Sequence, residues 1–244
     1  MRIFGIVSYK GTNYSGWQRQ PNVISVQEVI EEKLSTFFNK PIIIYGAGRT
    51  DAGVHAYGQT FHFDVDVTDL DIDRLLYSLN KMLPEDINII DLEEVEDDFH
   101  ARFSAKSKTY SYSILKKGKD PFWHDMVYLY PKEFNEELFK EALNKFIGKH
   151  NFKNFTSKEE DQDNFVREIY SIECEFGEEG VIVVLKGNGF MRYMIRFIIG
   201  YSLDVASNKY PLESIDELLD EDSPREIVSS KAPSSGLTLL GVEY

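Results

Sequence analysis

Residues 25–63 read SVQEVIEEKLSTFFNKPIIIYGAGRTDAGVHAYGQTFHF, and the change of hydrophobic period within them decides the fold. Val26, Val29, Ile30, Leu34, Phe37 and Phe38 recur at helical spacing, which predicts a helix over 26–38. Ser25 suits its N-cap, and Glu28 three residues on completes a capping box. After Pro41 the pattern turns to strand, first over Ile42 to Tyr45 and then, beyond a glycine-rich loop, over Val54 to Phe63. Outward from this centre, Arg2 to Tyr9 reads as a preceding strand, with Ile72 to Met82 and Ile87 to Val95 as the following helix and strand. The order β-α-β-β-α-β is the split βαβ, which places helices on one face of an antiparallel sheet.

The second half is similarly mixed. Strands are predicted at Lys106 to Lys116, Val166 to Phe176 and Val181 to Lys186, helices at Glu136 to Ile147 and Phe190 to Ala206, and a closing strand at Leu237 to Glu243. No proline- or glycine-rich linker separates the halves, so the boundary is set near Phe103 to Ser107, giving lobes 1–104 and 105–244. The expected class is α+β: two ferredoxin-like α/β lobes that share a largely antiparallel sheet with a central cleft.

With 244 residues, 42% of them apolar and 14% aromatic, the chain has ample core material. Its apolar runs fall short of the roughly 18 residues a membrane span needs, and its start reads as a strand, so a soluble, cytoplasmic protein is expected. Cys174 is the only cysteine, which excludes an intrachain disulfide and a cysteine zinc cluster. The net charge of −14 argues at first against a polyanionic partner, but it is unevenly spread. Residues 1–60, 99–125 and 181–210 carry +2, +4 and +3, while 61–98, 126–180 and 211–244 carry −11, −6 and −6. The positive windows hold the segments that could carry chemistry, so a basic cleft on an acidic body is compatible with the sequence.

Three segments stand out. In Gly46 to His55, Gly46, Gly48 and Gly53 permit positive φ and close approach, so the loop can present Arg49 and Asp51 to a bulky partner. A tight connection whose Arg and Asp meet only each other or solvent would read the same way. In FHARFSAKSKTYSYSILKK, residues 99–117, Lys106, Lys108, Tyr110 and Tyr112 share one strand face, which suits phosphates and stacked bases but equally suits an amphipathic sheet edge. In GNGFMRYMIRFIIGYSLDVA, residues 187–206, Arg192 and Arg196 sit one turn apart on a helix apolar on nearly every side. A buried guanidinium keeps its proton and so requires a carboxylate or a phosphate, or else must snorkel to solvent.

Other chemistries find little support. His55, His62, His100, His124 and His150 are scattered, the aspartate-rich run from Asp64 to Asp73 lacks the glycine of an EF-hand loop, and no metal site is expected. There is no phosphate-binding G-x-x-x-x-G-K-[ST] and no G-x-S-x-G elbow. A two-carboxylate glycosidase would need a second acid beside Asp51, and the motif windows offer none.

Together the segments resemble the tRNA pseudouridine synthase A family over nearly the whole chain: YKGTNYSGWQRQ with SVQ, GRTDAGVHAYGQ, NKMLPEDI, FHARFSAKSKTYSY, GKHNFKNF, GNGFMRYMIR and KAPSSGLTLLGVEY follow in that family's order. The resemblance implies cofactor-free isomerisation of uridine to pseudouridine at positions 38 to 40 of the tRNA anticodon stem-loop, by a homodimer. It also implies the roles: Asp51 as catalytic carboxylate, Tyr110 stacking on the target base, and Arg196 pairing with the aspartate. Arg49 would contact the RNA around the displaced base, and Lys108 and Arg192 would join in binding substrate. The acidity of the chain departs from the usual tRNA binder. Two other readings stay open at this point, an RNA-binding module without catalysis and a hydrolase using Asp51 as nucleophile.

Overall fold

The computed structural model describes residues 1–118, 121–157 and 164–244. The chain divides into two compact units, one formed by Met1–Lys106 with Thr238–Tyr244, the other by Ser107–Leu237.

Unit 1 contains β1 (Arg2–Tyr9), α1 (Val26–Phe38), β2 (Tyr45–Gly46), β3 (His55–Asp64), α2 (Ile72–Met82) and β4 (Ile87–Val95). Both helices begin on the caps their sequences offer, the Ser25 side chain accepting from the Glu28 amide and Asp71 from Arg74. Antiparallel pairing of β4 with β1, β1 with β3 and β3 with β2 gives the spatial order of a split βαβ. The expected strand over 42–45 shrinks to Tyr45–Gly46 for a specific reason. The Ile44 amide donates to Glu31 (3.1 Å) and its carbonyl accepts from Gln27 (3.0 Å), so side chains of α1 satisfy groups that a ladder would otherwise use.

On one face of this sheet Phe61 and Phe63 pack with Trp17 and Phe38, and Ile30, Leu34, Leu75 and Leu79 of the two helices are fully buried. The opposite face of β3 carries His62, buried among Tyr45, Phe99 and His100, whose ring lies 4.6 Å away. The Ala101 amide donates to His62 Nδ1 (3.2 Å), which requires that nitrogen to be unprotonated. Burial, then His100 and Arg2, push the His62 pKa down to about 4, against a smaller opposing pull from Asp64 and the Tyr45 backbone. Since an unfolded histidine titrates near 6.5, the unfolded chain binds the extra proton as pH falls from about 6.5 to 4, and stability declines across that window. A His62→Asn variant, which keeps an acceptor for Ala101, is therefore expected to flatten the melting temperature between those pH values. A wild-type slope that survives the substitution would exclude His62 as its source.

Unit 2 contains β5 (Ser107–Leu115), β6 (Tyr128–Leu129), α3 (Glu136–Asn144), β7 (Gly148–Asn151), β8 (Val166–Phe176), β9 (Gly180–Gly187), α4 (Met194–Ala206) and α5 (Ser214–Leu219). Its sheet runs β5-β9-β8-β7 with antiparallel neighbours, and β6 adds to β5 in parallel. Taken as β5-α3-β8-β9-α4, it repeats the first five elements of unit 1 with β9 again inserted between the strands that flank a helix, although no sequence repeat announces this. The core gathers Phe139, Phe146, Phe152 and Phe155 against Val183, Leu185 and the buried residues of α4.

The closing strand β10 (Leu237–Glu243) corrects the expected boundary. It belongs to unit 1 from Thr238 onward, where Thr238 and Leu239 pair in parallel with His55 and Ala56 of β3. Gly58 has no room for a Cβ against the Leu240 carbonyl, which marks how closely the two backbones approach. The last residue, Tyr244, donates to the Ala101 carbonyl (2.8 Å) and packs on Phe4 and Phe99. The pairing in both units is thus mainly antiparallel, as expected of the class. Among the described residues no helix is long and apolar enough to cross a membrane.

Candidate active site

Unit 1 presents Arg49 and Asp51 on the loop between β2 and β3. Of the three loop glycines only Gly53 adopts positive φ (76°), while Gly46 is small for a different reason, because a Cβ there would strike the Trp17 indole. The loop is held by the segment that follows β1. Trp17 N–H donates to the Thr50 carbonyl (3.2 Å), Gly53 N–H to the Tyr14 carbonyl (3.3 Å), and the Gly11 amide to His55 Nδ1 (3.1 Å). Beneath it the Tyr9 hydroxyl meets Thr50 Oγ1 at 2.8 Å, and Gln59 Nε2 donates to the Gly48 carbonyl at 2.9 Å. Burial drives the Tyr9 phenol above its ordinary range, so it stays protonated as a structural hydrogen-bond partner.

The consequence is a flexible-looking sequence made rigid. Thr50 is buried and tied on both backbone and side chain, Asp51 next to it is half-buried, and Ala52 is exposed. The Asp51 backbone is therefore held in place while its side chain is half-buried, so the loop presents that side chain from a fixed mount. Arg49 is exposed and makes no ion pair or hydrogen bond among the described residues.

Unit 2 carries the other predicted residues. Tyr110 and Lys108 lie two apart on β5, hence on one face, opposite Leu185 and Gly187 of β9. Tyr110 is buried, with the Phe190 ring edge-on at 5.4 Å, and Gly187 leaves space for that ring. The helix predicted from Phe190 begins only at Met194, because Tyr193 takes a left-handed conformation (φ 62°) and interrupts the apolar run.

On α4 only Arg196 and Asp204 escape full burial, as the apolar sequence of that helix requires. Arg196 is tightly framed. Its Nε donates to the Ala232 carbonyl (2.7 Å), its own carbonyl accepts from the Ala232 amide (2.9 Å), and the Tyr193 ring centre lies 5.0 Å from its guanidinium carbon. Gly200 makes this possible, because a Cβ there would collide with the Ser230 carbonyl of the crossing strand of chain. Burial raises the Tyr112 phenol above its ordinary range despite the charge of nearby Arg196, and its hydroxyl donates to the Pro233 carbonyl (2.7 Å).

Arg192 lies before the start of α4, so the two arginines do not share a helical face as expected, yet both reach Tyr193, while Tyr110 meets Phe190 instead. Sequence reasoning did not single out Tyr193, Lys231, Trp17 or Tyr9. All four lie inside motifs that carry the resemblance, Tyr9 and Trp17 in YKGTNYSGWQRQ, Tyr193 in GNGFMRYMIR and Lys231 in KAPSSGLTLLGVEY, but a left-handed tyrosine and a lysine some forty residues downstream leave no periodic trace that joins them.

A family model described as tRNA pseudouridine synthase matches residues 6–104 and 142–244, and so spans the Gly46–His55 loop and α4. Similar proteins include the tRNA pseudouridine synthase A of Chlamydia felis, 39% identical over 100% of this chain and 91% of that one. That of Streptococcus mutans is 37% identical over 100% of this chain and 99% of its own length, and that of a Listeria monocytogenes strain 38% over the same shares. Among solved structures a Cbf5-Nop10-Gar1 complex aligns with a TM-score of 0.43 at 11% identity, covering 97% of this chain and 57% of that one. Full-length identity at this level, together with a model match that takes in segments of both units, makes the chain a member of the tRNA pseudouridine synthase family.

Proposed function

We propose that the protein isomerises uridine to pseudouridine at positions 38 to 40 in the anticodon stem-loop of tRNA, acting in the cytoplasm as a homodimer with Asp51 as its catalytic carboxylate. The observation that carries this reading is the family match over segments of both units, with Asp51 inside the matched region on a braced loop. The reaction breaks the C1′–N1 bond of the nucleoside and joins C1′ to C5. The C5 proton leaves, and N1 gains one, so atoms and electrons balance without an added reductant or oxidant.

Each predicted residue has a part. Asp51 attacks or deprotonates at the sugar, splitting a difficult displacement into two steps. Tyr110 stacks on the uracil and takes up the C5 proton, and Arg196 pairs with Asp51 to hold it ionised. A stacked uridine must leave its helix to react, and Arg49 fills or guards the place it leaves. Lys108 and Arg192 meet the RNA backbone.

The test is pseudouridine mapping on tRNA transcripts incubated with the wild-type protein, including transcripts in which uridine is moved singly among positions 37 to 41. Product at 38 to 40 alone is expected. Product elsewhere would overturn the assigned position, and free uracil or no product would overturn the reaction.

A further inference from the structure

Three cations converge on one ring in unit 2. The Arg192 guanidinium carbon lies 4.8 Å from the centre of the Tyr193 ring, that of Arg196 5.0 Å, and Lys231 Nζ 4.1 Å. Arg192 also donates to the Tyr193 hydroxyl (3.0 Å). Like charges so placed repel, and a ring face offsets only part of that repulsion. Among the described residues neither Arg192 nor Lys231 has a carboxylate within ion-pair distance.

The chain has no shortage of carboxylates. It carries 41 Asp and Glu against 27 Lys and Arg, and three other lysines of unit 2 are matched: Lys116 with Glu136, Lys145 with Asp216, and Lys209 with Asp204. Two exposed cations set side by side against one tyrosine therefore form a positive spot on an acidic protein. Their mounts are fixed. The Arg192 carbonyl accepts from Thr156 Oγ1 (3.1 Å), and Ala232, next to Lys231, is locked to Arg196 by the two hydrogen bonds described above. Tyr193 holds the ring there from a left-handed backbone, a conformation that costs a tyrosine free energy and persists where its surroundings impose it.

We infer that Arg192, Tyr193 and Lys231 form a clamp for the RNA sugar-phosphate backbone, Arg192 and Lys231 each taking a phosphate oxygen while the tyrosine ring keeps the two cations together. The phosphates supply the negative charge that the protein withholds at this spot. This rests on the reading of tRNA as substrate, and adds Tyr193 and Lys231 to it.

Dissociation constants of a tRNA transcript are measured against KCl concentration for the wild type, Lys231→Gln, Arg192→Gln and the double variant, with Lys209→Gln as a lysine that also lies over a tyrosine ring but is already paired with an acid. Each single change is expected to weaken binding roughly three- to tenfold at about 50 mM salt and to lower the slope of log K against log salt by about 1, and the double change by about 2. Lys209→Gln should leave both unchanged. Equal affinity and slope in the wild type and the double variant would overturn the clamp even where the wild type makes pseudouridine. Lost slope in a protein that makes none would uphold the clamp and fault the proposed reaction.

Discussion

An Asp51→Asn protein is expected to form pseudouridine at least about 10⁴-fold more slowly than wild type, the scale seen when a group at the centre of covalent or proton-transfer chemistry is removed. The amide keeps the volume of the carboxylate and leaves in place the loop hydrogen bond from the Val54 amide to the Asp51 carbonyl (3.1 Å). What it loses is the charge and the lone pair that attack carbon or accept a proton. Single-turnover mapping at saturating protein isolates this effect from binding, and a melting curve records any cost to the fold. A rate within tenfold of wild type in a folded variant would remove Asp51 from the chemistry and leave the brace around it without a catalytic purpose.

Gly16→Ala is expected to have the second largest effect, and it acts at a distance from any reacting atom. Gly16 has φ 88°, which strains any residue with a Cβ, and that Cβ would lie inside contact distance of the Thr50 carbonyl and the Asp51 backbone. Strain of this kind costs about 1–3 kcal/mol, and the collision adds to it, so unit 1 should melt some 10 °C lower. The backbone that must move is the one carrying Asp51, and a displacement near 1 Å costs catalysis about 10²-fold. Gly241→Ala, where a Cβ meets nothing within 4 Å, is the matched control. A folded Gly16→Ala protein with wild-type turnover would show that the segment after β1 stabilises the loop without positioning it.

Much of the fold was legible where local and tertiary preferences agree. The limits of α1, α2, β4, β8 and β10 follow from period and capping alone, because each buries one regular face or ends on a residue that caps it. Three departures have physical causes. Ile42 to Ile44 alternate like a strand, but Gln27 and Glu31 occupy the backbone groups of Ile44. Phe190 to Tyr193 continue the apolar pattern of α4, yet the left-handed Tyr193 breaks the helix, and nothing in a tyrosine announces that conformation. Reading along the chain put β10 in the second lobe, whereas its first residues pair with a strand some 180 positions earlier.

The site was legible to a different degree. Arg196 on an almost wholly apolar helix declared its need for a partner, and the Gly-rich loop declared that something must approach closely. The rigidity of that loop was hidden, since it depends on Tyr9, Tyr14 and Trp17 reaching it from the preceding segment. The convergence on Tyr193 was hidden for the same reason, its lysine arriving from a stretch of chain with no regular structure of its own.

The placement of β10 also bears on how the protein is made. Unit 1 begins to emerge from the ribosome first, yet the strand that pairs with His55 and Ala56 is synthesised only after the whole of Ser107 to Leu237. At translation rates of about 5–20 residues per second, that segment delays the final strand by roughly 7–26 s. Through that interval the edge of β3 beside the Gly46–His55 loop stands open, and an open edge is a template for pairing with another chain. Unit 2, whose chain is continuous, is free to fold in the meantime, so the last event in building unit 1 is capture of its own C-terminal strand.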